Sequence, residues 1–152
     1  MATKINNLEK LIGSGIYSGY FPYFSGTAGS MVALAIYLIP GFENPVVMLL
    51  LISFFILTGQ KLAVKFEKRY GSDPKEFTLD EFIGTWISLL FIPKIIWYIL
   101  PAFILWRLFD ILKPYPIKKL EKVGNGWGVL LDDIAAGFYT FFLVHILFYF
   151  FN

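Results

Sequence analysis

VVMLLLISFFIL, residues Val46 to Leu57, decides the fold. The stretch carries no charge, and its apolar character continues to about Val64. At roughly 1.5 Å per residue, about 20 helical residues cover a hydrocarbon core of about 30 Å. The stretch therefore reads as a full membrane-crossing helix. It opens at GFENP (Gly41–Pro45), where Pro45 suits the first helical position because its missing N–H would have no partner there.

Outward from this span the pattern repeats. Further apolar segments cover 28–40, 79–92, 95–113 and 129–150, with a kink expected at Pro101. Composition agrees: charged residues are 16% of the chain, against about 25% in a typical globular protein. The fold class expected is all-α, a multi-pass transmembrane helical bundle forming one domain over 1–152. Segments 28–40 and 79–92 are too short to span, and read as half-crossings or as helices buried among the others. Residues 1–20 read as an N-terminal amphipathic helix at the interface, with Ile5, Leu8, Leu11 and Ile12 at helical spacing. No cleavable signal peptide is evident.

Charge sets the topology. With five crossings, every Lys and Arg except Lys94 falls on one side, which should be cytoplasmic. Four polar motifs lie on that same side. The first is FSGTAGS (Phe24–Ser30), read as a small-residue turn whose N–H groups could cradle phosphate, with Thr27 and Ser30 adding hydroxyls. The second is DPKEFTLDE (Asp73–Glu81), in which Thr78 and Glu81 match a capping box. The third, RLFDILKPYP, sets Arg107, Asp110 and Lys113 three apart on one helix face. The fourth is GNGWGVLLDD, which ends in Asp132 and Asp133.

Asp80, Glu81, Asp110, Asp132 and Asp133 are thus flanked by lipid-like sequence. Acidic groups at membrane depth are costly and usually functional. Mutual repulsion makes a divalent cation their natural partner, and oxygen donors without Cys or His ligands suit a hard ion, Mg²⁺. Asp80, Glu81, Asp132 and Asp133 are the expected metal ligands, with Asp110 the alternative to Glu81; all five form the catalytic set. Arg107 and Lys113 suit a phosphate, although Arg107 could instead pair with Asp110 one turn on. Dipole complementation at a helix start is the structural alternative for Asp80 and Glu81.

The residues present also exclude mechanisms. With no cysteine, a phosphocysteine route is impossible. The one histidine, His145, cannot form a two-histidine site and reads as structural. The Asp-x-Asp-x-Thr and Asp-Gly-x-x-Ala-Arg patterns are absent. Metal-assisted attack by water remains, with Asp80 or Glu81 the first choices for general base. The substrate's acyl chains would lie along the last helix, beside Phe138, Tyr139, Phe141 and Phe142.

The motifs Gly26-Thr27-x-Gly29-Ser30, Asp80-Glu81-x-x-Gly84, Arg107-x-Phe109-Asp110-x-x-Lys113-Pro114-x-Pro116 and Gly126-x-Gly128-x-x-x-Asp132-Asp133-x-x-Ala136-Gly137, in this order, resemble the bacterial phosphatidylglycerophosphatase A family. One departure is Ser25, where the family usually has Pro. The resemblance implies Mg²⁺-dependent hydrolysis of the terminal phosphate of phosphatidylglycerophosphate, giving phosphatidylglycerol for phospholipid biosynthesis. It also implies a multi-pass location in the bacterial cytoplasmic membrane and a site facing the cytoplasm. The partners expected are the phospholipid substrate and the bilayer, with no nucleic acid; no oligomeric state is implied. The alternative, from another class, is a membrane ion or metal transporter with an acidic intramembrane site. A transporter needs charge near the bilayer midplane, whereas here it clusters towards one face.

Overall fold

The computed structural model describes residues 4–151. Among them the chain forms seven α-helices and one short 3₁₀ turn: α1 (Asn7–Gly13), the turn Ser18–Tyr20, α2 (Ser25–Tyr37), α3 (Pro45–Tyr70), α4 (Leu79–Ser88), α5 (Ile96–Leu112), α6 (Ile117–Leu120) and α7 (Trp127–Phe151).

α4 is the centre of the molecule. Every residue from Leu79 to Ser88 is buried, enclosed by α2, α3, α5 and α7. At about 15 Å it cannot span a bilayer. Of the two readings of segment 79–92, a helix buried among the others is the one observed, and it ends earlier than expected. Glycine permits the close packing. A Cβ on Gly84 would enter the ring of Trp106, and one on Gly137 would sit 2.9 Å from the Gly84 carbonyl oxygen. Trp86 anchors α4 to α2 by donating its indole N–H to the Ala33 carbonyl at 3.0 Å, and it packs against the rings of Phe42, Phe55 and Phe82.

Two helices, α3 and α7, are long and apolar enough to cross a membrane. Only 28% of the α3 apolar window is buried, unlike the core helix of a soluble protein, so most of that window faces outward. Asn44 caps α3 by accepting from the Val46 N–H at 2.9 Å, and Pro45 occupies the first turn as expected. α5, with Pro101 inside it, has 17 residues, and α2 has 13. α2 is shorter than a full crossing, and α5 lies at the short end of the spanning range.

Three local expectations change. The helix expected over 1–20 is only the seven residues of α1, followed by tight turns; residues 1–3 of that segment lie outside the described residues. The capping box sits at Asn6 and Glu9, whereas Thr78 makes no side-chain cap and bonds Ser18 Oγ at 3.0 Å. FSGTAGS is no loop: Ser25 to Ser30 form the first turns of α2. Its glycine serves packing, since a Cβ on Gly29 would sit 2.9 Å from Thr78 Cβ and 3.3 Å from Glu81 Cβ.

The end of the bundle bearing Lys94 is closed by polar ties. Tyr37 donates to the Ile92 carbonyl at 2.7 Å, and Lys94 reaches both the Ile39 carbonyl and Glu43 at 2.6 Å. Near α1, the Lys65 ammonium bonds Glu9 directly and holds its carboxyl below the usual range.

Candidate active site

The first turns of α2 and α4, the early part of α7 and the C-terminal end of α5 meet at one cavity of about 290 Å³. Each of the four polar motifs contributes to its wall: Ser25 and Gly26 from the first, Asp80 and Glu81 from the second, Asp110 and Lys113 from the third, Asp132 and Asp133 from the fourth. Asp80 and Glu81 fall in the first turn of α4, where the helix dipole favours negative charge. The dipole reading and the site reading therefore coexist.

Glu81, Asp110 and Asp133 come together most closely. One carboxylate oxygen from each lies within 4.8 Å of the others, and Glu81 and Asp133 are buried. These three could hold a metal ion. Asp80 and Asp132 line the same cavity outside that group. The cluster thus takes in both Glu81 and Asp110, which the sequence offers as alternatives beside Asp80, Asp132 and Asp133.

Arg107 is the hub on the α2 side. Its Nη1 donates to Glu81 Oε2 and to Ser30 Oγ at 3.0 Å, and it is ion-paired with Asp110 Oδ2 at 2.9 Å. Ser30 in turn donates to Glu81 Oε2 at 2.5 Å. Nη2 has one distant contact, Thr27 Oγ1 at 3.4 Å. The pairing with Asp110 is present, as one step of a wider network. Thr27 and Ser30 reach the site from inside α2, by side chain, and Ser30 is spent on Glu81.

Lys113 serves the other side. It ends α5 in the left-handed region, φ 42°, a conformation usually left to glycine. Its Nζ donates to Asp132 Oδ2 at 2.7 Å and lies 3.5 Å from Glu121. Two carboxylates also accept from the next residue's backbone: Asp80 from the Glu81 N–H at 2.9 Å and Asp132 from the Asp133 N–H at 3.0 Å. Among the described residues neither Asp80 nor Asp133 is ion-paired with a Lys or Arg. With Asp73 and Lys75 of the same wall included, six carboxylates face three cations, Lys75, Arg107 and Lys113, and the excess charge sits in low-dielectric surroundings.

Sequence reasoning overlooked some of the wall. Asp73 and Lys75 line the cavity, and Asp73 adopts φ 50°. The signal was available in DPKEFTLDE, where an acid precedes Pro74 next to the buried pair. The sequence reading places Gly26 in a small-residue turn that cradles phosphate with its backbone N–H groups. It is a helical residue, and a Cβ there would overlap Glu81 Oε1 and lie 3.6 Å from Arg107 Nη2.

A helical, membrane-associated enzyme with a buried carboxylate cavity is the class that the fold and site define. The phosphatidylglycerophosphatase A family description matches residues 11–148. The chain is 33% identical to phosphatidylglycerophosphatase A of Escherichia coli, over 88% of this chain and 80% of that one. It is 35% identical to phosphatidylglycerophosphatase A of Haemophilus influenzae, over 88% and 85%. It is 40% identical to a Bacteroides thetaiotaomicron protein described as a candidate phosphatidylinositol-3-phosphatase, over 91% and 92%. No solved structure matches. The chain belongs to the phosphatidylglycerophosphatase A family and is a phosphoric monoester hydrolase.

Proposed function

We propose that this protein removes the terminal phosphate of phosphatidylglycerophosphate, with Mg²⁺, at the cytoplasmic face of the bacterial cytoplasmic membrane, as a step in phospholipid biosynthesis. Family membership supports the reaction. The observation that carries the chemistry is the Glu81–Asp110–Asp133 cluster beside Lys113 in one cavity. The donor set is all oxygen and in charge excess, which fits a hard divalent cation. The convergence of all four polar motifs at one end of the bundle, away from Lys94, and the outward-facing α3 support a multi-pass location with the site towards the cytoplasm.

Glu81, Asp110 and Asp133 would hold the ion, with Asp80 or Asp132 adjoining. Bound there, Mg²⁺ supplies charge neutralisation on the phosphate and activation of water. Lys113 and the free side of Arg107 Nη2 bind the phosphoryl oxygens and offset their charge as the bond breaks. Asp80 is the freer of the two candidate bases. Glu81 Oε2 is taken by Ser30 and Arg107, whereas Asp80 engages only one backbone N–H. Asp80 accepts a proton as the water oxygen bonds to phosphorus. The ester P–O bond to the glycerol oxygen breaks, and that oxygen leaves as the alcohol after taking up a proton.

The B. thetaiotaomicron relative favours a second substrate, a phosphatidylinositol 3-phosphate. Both lipids carry a phosphomonoester on a glycerophospholipid headgroup. Purified protein in mixed micelles should release phosphate from phosphatidylglycerophosphate with Mg²⁺ and stop on adding chelator. Faster release from phosphatidylinositol 3-phosphate would reassign the substrate. Release from neither, with Mg²⁺ present, would refute the reading.

A further inference from the structure

We propose that the groove between the 3₁₀ turn and α2 holds one acyl chain of the phospholipid substrate, an inference that rests on the function proposed above. The groove has a volume of about 650 Å³, within the range of ligand sites, and its lining is overwhelmingly apolar. Its floor is one face of α2: Thr27, Ala28, Met31 and Val32. Its walls come from the preceding segment, including Tyr17, Phe21 and Phe24.

The walls are held in an unusual backbone. Ile16, Tyr17 and Phe24 all have positive φ, 56°, 63° and 52°, which side chains other than glycine rarely adopt. The inward side of the segment explains why it is so fixed. Ser14 and Ser18 are buried, and Ser18 bonds Thr78 at the start of α4. With its small residues turned inward, the segment turns its large ones outward: Phe24 is 85% exposed and Tyr23 72%. Rings of this kind, Tyr17, Tyr20 and Tyr23 with a polar tip, suit the boundary between lipid and water.

The occupant follows from what the groove adjoins. α2 separates it from the acidic cavity by one turn. Ser25 and Gly26 line the cavity, Ala28 and Met31 line the groove, and Thr27 belongs to the groove while its hydroxyl meets Arg107 Nη2. A terminal phosphate at Lys113 and Arg107 places the headgroup glycerol near Thr27; the phosphodiester and the diacylglycerol follow, and one acyl chain then lies in the groove beside Met31 and Val32. The chain then runs parallel to α2, away from the charged end. The last helix offers a poorer bed: Phe138 and Phe142 stack on one another and the Tyr139 hydroxyl is committed to the Tyr115 carbonyl at 3.1 Å.

The test uses phosphatidylglycerophosphate carrying a diazirine within one acyl chain, photolysed with the wild-type protein in mixed micelles. Label should concentrate on residues 21–32 and fall when unlabelled substrate is added. Label on 138–142, or spread over all lipid-facing helices without competition, overturns the proposal in favour of the α7 face or of bulk lipid. A second measurement fills the groove with Ala28→Trp. The ratio of kcat/KM for the diacyl lipid to kcat/KM for its deacylated, water-soluble headgroup should drop at least about tenfold, since several methylenes lose their contacts. An unchanged ratio overturns it. If the wild type hydrolyses neither compound, the proposed function fails and takes the groove with it; if it hydrolyses both and the label lies elsewhere, only the groove fails.

Discussion

Arg107 of α5 and Glu81 of α4 form a direct ion pair, with Ser30 of α2 bonded to both. Three helices are therefore fastened at one polar point inside an apolar bundle. Removing one partner of such a pair leaves a buried charge uncompensated, which costs about 3–5 kcal/mol. Arg107→Ala should lower the melting temperature in detergent sharply. Arg107→Lys keeps the charge but cannot serve Glu81, Asp110 and Ser30 together with a second nitrogen left over. Loss of one charged hydrogen bond predicts a fall of about 10- to 100-fold in kcat/KM. A Lys variant with wild-type kinetics would show that Arg107 acts only as a fastener.

Gly26 tests how tightly the phosphate side is built. Its backbone is ordinary helix, so alanine there should favour the helix by up to about 1 kcal/mol. The added Cβ would nevertheless overlap Glu81 Oε1 and crowd Arg107 Nη2. Gly26→Ala should thus fold with a melting temperature near that of the wild type and lose at least about tenfold in kcat/KM, the scale of one displaced charged contact. Unimpaired hydrolysis would mean that Glu81 can move without consequence.

The sequence made the convergence legible because charge is rare in this chain and costly at membrane depth. Asp80, Glu81, Asp110, Lys113, Asp132 and Asp133 could all be named as wall residues from that argument. The partners were not legible. Thr78-x-x-Glu81 and Asn6-x-x-Glu9 have the same spacing, yet only the second forms a capping box. The difference is tertiary: Arg107, 26 residues away, and Ser30 capture Glu81, whereas Asn6 and Glu9 lie at a surface with only Lys65 to share. α4 stayed open between two readings for a related reason. Its composition suits lipid and protein interior equally, and the burial of every residue from Leu79 to Ser88, with the close contacts at Gly84 and Gly137, decides for the interior.

Asp133 carries the metal prediction. It belongs to the close carboxylate cluster and, among the described residues, pairs with no cation. Asp133→Asn should abolish turnover. It should also leave the metal-free protein as stable as the wild type or more so, because one of several repelling charges is gone. Mg²⁺ should raise the melting temperature of the wild type, by an amount corresponding to about 2.7 kcal/mol at a hundredfold excess over Kd, and leave the variant unmoved. An equal Mg²⁺ shift in both proteins would place the ion elsewhere.

Glu9 of α1, outside the membrane-spanning helices, gives a pH prediction with a defined sign through its pair with Lys65. The hydrogen bond from Lys65, aided by the Asn6 N–H, depresses the Glu9 carboxyl below its ordinary value. A depressed carboxyl contributes stability above the unfolded value, about 4.3, and loses it as pH falls through the lower, folded value. Glu9→Gln isolates the effect, since glutamine can still accept from the Asn6 N–H and keep the capping box. Lys65 is substantially exposed, so solvent screening limits the pair to no more than about 1 kcal/mol. The wild type should therefore melt slightly above Glu9→Gln at neutral pH and in low salt. That gap should narrow steadily as pH falls below about 4.3 and shrink at high ionic strength. A gap that does not narrow as the pH falls would show that the variant weakens the α1 cap or its packing on α3, and that the ion pair is not the cause.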